Sequence, residues 1–295
     1  MTGPNLGRLG VWGHLDSLTA AQARAYARRV DELGYGTLWV PETVGREPFT
    51  FLGMLSGETT GLNLGTSIVS IWGHDAQATR MAAMTLAEAT GGRFVLGLGV
   101  SHPHLATKLR GHAFERPLTH MRDYLAAYRS AVYRGPAADG AEPPILVAAL
   151  RERMTDLAAT DADGAFPYLV TPERVAWMRA RLDAAAPATR PVLAVTLPVA
   201  LEDTRGREAA RAYLKPYLRT PTYQASWELQ GFEPLDWEPP GSDRLVDGMV
   251  SSGPPDEVRR RLAQLHDAGA DHVAIIPLAS DGGTERMATL EALAP

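Results

Sequence analysis

Residues 33–42 (LGYGTLWVPE) and 268–278 (AGADHVAIIPL) carry the same succession of signals near opposite ends of the chain. In each, a glycine closes a helical stripe, a short apolar run follows, and proline ends the run or falls within it. A chain that alternates helix and buried strand in this way must lay its strands parallel, each reached through a helical crossover. The alternation recurs. Residues 9–13 read as a first strand, after which Thr19 caps a helix through a Thr-x-x-Gln box with Gln22. Ala23, Tyr26, Ala27, Val30 and Leu33 form that helix's apolar stripe. Further strands are expected at 37–40, 62–69, 94–100, 145–149, 165–170, 192–199 and 273–278. Helices are expected between them, one capped by Asp75 and one opened by Thr171-Pro172-Glu173. Eight such strands predict an α/β chain folded as a (β/α)8 TIM barrel, with an open doubly wound sheet as the alternative.

One domain over residues 1–295 accommodates the pattern, but the chain between the seventh and eighth strands is longer than a single helix needs. Its stretch 220–247, rich in Pro and Trp, is expected to be an insertion over the barrel mouth or at a subunit contact. Tyr223, Trp227, Phe232 and Trp237 argue against a disordered linker there.

Composition removes several kinds of chemistry. With no cysteine there are no disulfides, thiolate nucleophiles, iron–sulfur clusters or thiolate zinc sites, so redox work would fall to a bound cofactor. A net charge of −5 without a Lys/Arg cluster speaks against a nucleic-acid surface. The longest apolar run, 192–201, holds Thr196 and Pro198 and is too short for a membrane span, and the first residues lack a signal-peptide core, which predicts a cytoplasmic protein. Lys108 and Lys215 are the only lysines, so no Schiff-base lysine is expected at a strand end. Arginine in place of lysine, with abundant alanine, fits the coding bias of an actinobacterium.

A barrel gathers the carboxyl ends of its strands at one rim. Trp12 and His14 follow the first strand, Glu42 and Thr43 the second, residues 67–74 the third, and Ser101, His102, Pro103 and His104 the fourth. The stretch 93–104 (RFVLGLGVSHPH) is the most informative of these. Gly97 and Gly99 stand two apart, so one strand face lacks side chains and is expected to let something large and flat lie against it. Each candidate also has a plainer role: His14 closing a turn, Glu42 pairing with an arginine to seal the barrel top, Asp75 capping a helix instead of pairing catalytically with His74. His102 and His104 lack metal-site spacing, so no metal is expected. The Gly97-x-Gly99 pair lacks the rest of a dinucleotide fingerprint, and no Gly-x-Ser-x-Gly elbow is present.

Taken in order, LGYGTLWVPET (33–43), LGTSIVSIWGHDA (64–76), GGRFVLGLGVSHP (91–103), ILVAALRERM (145–154), ADGAFPYLVTPE (162–173) and DAGADHVAIIPL (267–278) resemble the luciferase-like flavin and deazaflavin oxidoreductases. The resemblance is strongest to the actinobacterial subgroup assigned to coenzyme F420. It implies a barrel with an insertion, a tricyclic ring held at the strand ends, and a non-prolyl cis peptide at Ser67-Ile68. It also implies that Gly99, Val100, Ser101 and His102 meet the cofactor, its phosphate-bearing side included. Ala148, Ala149 and Leu150 then line the same tail, Arg151 stands where a glycine is common, and Trp12 walls the pocket. A homodimer is the family's habit.

Two departures bear on the reaction. Glu42-Thr43 replaces the acidic residue and histidine that sugar-phosphate dehydrogenases of the family carry after the second strand, and His102 replaces their glutamate. The glucose-6-phosphate reading thereby loses its acid and base. The expectation is hydride exchange between coenzyme F420 and a small organic substrate, with His102 as proton carrier and Glu42, His14 and Tyr168 as lesser candidates. Trp12, Trp72, Phe166, Tyr168 and the insertion would shape the substrate pocket. The alternatives are an FMN-dependent monooxygenase fed by a partner reductase, and a flavin-binding barrel without turnover.

Overall fold

The protein is described from a computed structural model covering residues 5–136, 142–185, 189–201, 203–279 and 285–295. Among these residues, eight parallel strands close into a barrel. They are β1 (Leu9–Trp12), β2 (Thr37–Val40), β3 (Asn63–Thr66), β4 (Phe94–Gly99), β5 (Ile145–Val147), β6 (Gly164–Ala165), β7 (Val192–Ala200) and β8 (His272–Pro277). Each pairs with its neighbour in sequence, and β8 returns to β1 with Val273 opposite Leu9. The expected (β/α)8 TIM barrel is the architecture found.

Period-two alternation sorts the strand residues between two cores. Leu38, Leu64, Leu96, Val147 and Val195 pack outward against the helices. Trp39, Val95, Leu146, Ala194 and Ala274 face inward. Trp39, fully buried, fills the barrel interior, and Gly65 makes room for it, since a Cβ there would lie 2.4 Å from the indole. Its Nε1 donates to Nε2 of His272 at 3.0 Å, while the other ring nitrogen of His272 bonds the Gly7 carbonyl at 2.7 Å.

The helices follow their sequence signals. The predicted capping box of Thr19 and Gln22 opens α1 (Ala20–Glu32), and Asp75 caps α3 (Ala76–Ala89) by accepting from the Ala78 N–H at 2.8 Å. α2 (Pro48–Leu55) was among the helices not foreseen: it is apolar on most sides and shows no amphipathic period. Its start is nonetheless encoded, because the Glu47 side chain accepts from the Phe49 and Thr50 N–H groups and Pro48 follows. The outer layer continues with α4 (Pro117–Ser130), α5 (Glu152–Asp161) and α6 (Pro172–Ala184).

Several strands stop earlier than expected, always at the carboxyl end. The strand predicted over 62–69 breaks after Thr66, and Val69–Ser70 then pairs separately with β4. β5 ends at Val147 instead of residue 149, and β6 at Ala165 instead of 170. In each case the residues that leave the ladder turn toward the barrel mouth.

Between β7 and β8 lie α7 (Asp203–Leu214), α8 (Pro221–Glu228), α9 (Asp243–Met249), a two-residue strand Ser251–Ser252 on β7, and α10 (Pro255–Asp267); α11 (Met287–Leu293) follows β8. The stretch 220–247 is ordered: Trp227 is fully buried in a cluster with Leu214, Leu218, Phe232 and Leu245. Among the described residues no helix is long and apolar enough to cross a membrane, and no three His, Cys, Asp or Glu side chains gather as a metal-ion set.

Candidate functional site

The strand ends and the insertion enclose a cavity of about 690 Å³. Trp12 and His14 reach it from β1, Glu42 and Thr43 from β2, Ser67 and Ile68 from β3, and Val100, Ser101 and His102 from β4. Ala148, Ala149, Leu150 and Arg151 come from β5, and Phe166 and Tyr168 from β6. Residues dispersed through the sequence thus share one wall, as the rim of a barrel allows.

The floor forms where β3 breaks. The Ser67–Ile68 peptide is cis, as the family resemblance implies, and the Ser67 carbonyl accepts from Trp12 Nε1 at 3.2 Å. The expectation of an empty face on β4 needs correction. A Cβ on Gly97 would lie 1.9 Å from the Thr66 carbonyl oxygen, so that glycine admits neighbouring backbone. A Cβ on Gly99 would lie 2.6 Å from the Ile68 side chain and 3.3 Å from Ala148 Cβ. The glycines therefore admit Ile68, and Ile68 in turn faces the cavity in place of Gly99.

Three of the four acid–base candidates, His102, Glu42 and His14, have different surroundings. His102 is half-buried, stacked on His104 with centroids 5.9 Å apart and tilted against Tyr223 at 5.4 Å. Its Nδ1 is buried without a hydrogen-bond partner, and burial first, then His104, holds its pKa below the ordinary 6.5. Glu42 has only 5% of its side chain exposed and is held on three sides: Arg110 pairs with Oε1, His74 Nε2 stands 3.3 Å from Oε2, and the Ser70 N–H donates to Oε2 at 2.7 Å. The pairing of Glu42 with an arginine is thus present, and His74 belongs to it instead of to Asp75. His14 Nε2 lies 3.1 Å from Thr43 Oγ1 and 3.2 Å from Asp16 Oδ2, and Thr43 Oγ1 donates to Asp16 at 2.6 Å.

Sequence reading missed Tyr213 and Tyr217. They come from the end of α7 and the turn after it, and with Tyr168 and Tyr223 they make a phenolic wall on the insertion side. The Tyr168 hydroxyl bonds that of Tyr213 and donates to that of Tyr217 at 3.0 Å. Spacing four apart across a helix end was the available signal, but two tyrosines there read equally as core. Trp72, expected at the pocket, does not line it. Its ring stacks on His120 at 4.1 Å, and its Nε1 donates to the Val100 carbonyl at 2.9 Å, steadying the β4 loop from behind.

A second hollow of about 840 Å³ shares Val100, Ser101, Arg151, Met154 and Thr222 with the cavity, so the two lie side by side against the ends of β4 and β5. The N-terminus of α5 opens into it with no side-chain cap from Arg151, leaving its first N–H groups and their partial positive charge available to an anion. Arg151 and Arg153 are exposed there, while Arg174 is buried, donates to the Leu150 carbonyl at 2.6 Å and lies 3.8 Å over the Trp177 ring. The pair of spaces suits a flat, largely apolar ring joined to an anionic tail, a shape shared by deazaflavin and flavin nucleotides.

Comparison with known proteins agrees with this shape. The model of the luciferase-like monooxygenase family matches residues 5–272. A protein of Mycobacterium tuberculosis, provisionally named a coenzyme F420-dependent oxidoreductase, is 26% identical over 97% of this chain and 97% of its own. Among solved structures, an F420-dependent secondary alcohol dehydrogenase in complex with an F420–acetone adduct gives a TM-score of 0.76 at 12% identity, covering 100% of this chain and 97% of that one. The oxygenating constituent of 3,6-diketocamphane monooxygenase from Pseudomonas putida, in complex with FMN, gives 0.71 at 15% identity over 97% and 96%. At such identities the two structures speak to the fold.

Proposed function

We propose that this chain, which belongs to the luciferase-like monooxygenase family, is an oxidoreductase that binds a deazaflavin of the coenzyme F420 kind and exchanges a hydride with a small organic substrate. The observation that carries the reading is the adjacency of the strand-end cavity to the groove at the N-terminus of α5, the two sharing Val100, Ser101 and Arg151. The full-length relative with the F420 name supports deazaflavin over FMN. When bound, a deazaflavin supplies a ring carbon that accepts or releases a hydride.

The residues divide the remaining work. Ile68, Ala148 and Trp12 would hold the ring, and Ser101, Arg151 and the open turn of α5 would hold the phosphate-bearing tail. His102, kept neutral near pH 7 by burial, is suited to accept a proton from a substrate hydroxyl as hydride leaves. Glu42 is an anchored anion whose bonds to Arg110, His74 and the Ser70 N–H tie three loops together at the rim. His14, beside Asp16 and lining the same cavity, is a second proton carrier.

A monooxygenase reading, with reduced FMN brought by a partner reductase, draws support from the FMN-bound neighbour. Titration of the purified protein with oxidised F420 and, separately, with FMN, followed by quenching of cofactor fluorescence, tests the choice. Saturable F420 binding with much weaker FMN binding is expected. Tight FMN binding with no response to F420 would overturn the deazaflavin reading.

A further inference from the structure

We propose that the Tyr223 hydroxyl donates a hydrogen bond to the reacting oxygen of the substrate beside His102, so that the two side chains together hold an alcohol or its carbonyl product. The inference rests on the deazaflavin reading above.

Among the four phenols of the wall, Tyr223 stands apart. Tyr168 donates to Tyr217, Tyr217 bonds Tyr213 and Tyr213 bonds Tyr168, so these three hydroxyls close a ring in which each gives one proton and accepts one. That ring asks nothing of a ligand. The Tyr223 hydroxyl, in contrast, has no hydrogen-bond partner among the described residues. Only 7% of the residue is exposed, yet its oxygen is not sealed in protein, and the space that the side chain lines is the inner cavity. Its ring is fixed by Tyr217, edge-on at 5.1 Å, by Tyr168 at 5.8 Å and by Trp227 at 6.0 Å. A donor held this way draws its partner from whatever occupies the cavity.

His102 completes the pair. Its ring lies 5.4 Å from that of Tyr223, lines the same cavity and likewise has no hydrogen-bond partner among the described residues. A phenol donates, and a neutral imidazole has one nitrogen that accepts. A hydroxyl group answers both, giving its proton to His102 and accepting one bond from Tyr223. In oxidation of the alcohol, the C–H bond breaks as hydride passes to the cofactor, the O–H bond breaks as the proton passes to His102, and the C–O bond becomes C=O. The bond from Tyr223 survives this change and strengthens as negative charge gathers on the oxygen. Burial, with Tyr217 nearby, keeps the Tyr223 phenol protonated far above neutral pH, so it remains a donor wherever His102 can act as a base.

Calorimetric titration of F420-loaded protein with acetophenone and with isopropenylbenzene, which has a methylene group in place of the carbonyl oxygen, tests the proposal. Loading is read first by F420 fluorescence. Wild type should bind the ketone roughly five- to tenfold more tightly than the hydrocarbon, the share of one neutral hydrogen bond, and Tyr223→Phe should abolish that preference with F420 affinity unchanged. The cofactor-free Tyr223→Phe protein should melt no lower than wild type, because the change breaks no hydrogen bond within the protein. A hydroxyl with a structural role predicts a lower melting temperature. No preference in wild type, a preference that survives Tyr223→Phe, a loaded protein that binds neither compound, or a lower melting temperature in the variant would each overturn this inference alone. So would a loss of F420 affinity in Tyr223→Phe as large as the loss for the ketone, which would assign the hydroxyl to the cofactor. A wild-type protein that does not take up F420 overturns the deazaflavin reading and this inference with it.

Discussion

Ile68 occupies the space that the absent side chain of Gly99 leaves, with its Cγ1 and Cδ1 only 2.6 Å from where a Cβ would stand. Because Ile68 lines the cavity, anything added at 99 is transmitted into the site. Gly99→Ala should cost about 1–3 kcal/mol of stability, the usual cost of overpacking, and should weaken F420 binding as Ile68 is displaced. Pairing it with Ile68→Val should recover part of both losses, as expected of residues in contact. Urea unfolding and cofactor titration of the two single variants and the double variant measure this. Additive effects would sink the coupling.

Arg110 covers a carboxylate that is otherwise almost wholly buried. Removing a partner from a buried pair leaves a desolvated charge, so Arg110→Ala should destabilise the protein by about 3 kcal/mol. Glu42→Gln keeps the shape and the acceptor for the Ser70 N–H, and should cost clearly less. Denaturant midpoints of the two variants decide the matter, and equal losses would mean that the pair contributes through packing alone.

The barrel was legible because its signals are local. A Thr-x-x-Gln box, an Asp cap at residue 75 and glycine stops at helix ends each act within one turn of chain. The strand ends were misjudged for the opposite reason. Whether residues 67–69, 148–149 and 166–170 stay in the ladder depends on what lies across the mouth, which no local pattern encodes. The β4 glycines show the same limit: their spacing announced an empty face, but only the structure reveals that Ile68 fills part of it. The phenolic wall is a purely tertiary product, since Tyr168 follows β6, Tyr213 and Tyr217 come from α7 and the turn after it, and Tyr223 comes from the insertion.

His272 makes stability depend on pH. Burial inside the barrel lowers its pKa to about 4, while its bonds to Trp39 and Gly7 suit the neutral ring. The unfolded chain, with an ordinary histidine near 6.5, binds the proton first as pH falls. Stability contributed by His272 is therefore complete above pH 6.5 and is lost progressively down to about 4, a change on the order of 3 kcal/mol. His266, also held below 6.5 chiefly by burial, acts in the same direction. Urea unfolding at pH 7 and pH 5, with proton uptake measured by calorimetry in two buffers, checks this. Unfolding at pH 5 should take up about one proton for His272, with His266 adding in the same direction, and no uptake would contradict the assignment.

His102 should impose its own limb on the pH–rate profile. A base that accepts the substrate proton must be unprotonated, and its pKa lies below 6.5 because of burial and the neighbouring His104. Oxidation of 1-phenylethanol by the F420-loaded protein should rise with pH through an acid limb below 6.5 and then level off. His104→Ala removes the neighbour that lowers the pKa, so the limb should move upward, toward 6.5, with little change in the plateau. His102→Asn should remove the limb and lower the plateau roughly a hundredfold or more, the usual share of a positioned general base. If the limb survives in His102→Asn, the titrating group lies elsewhere, and the pair of His14 and Asp16 at the same cavity becomes the proton carrier to examine by the same profile.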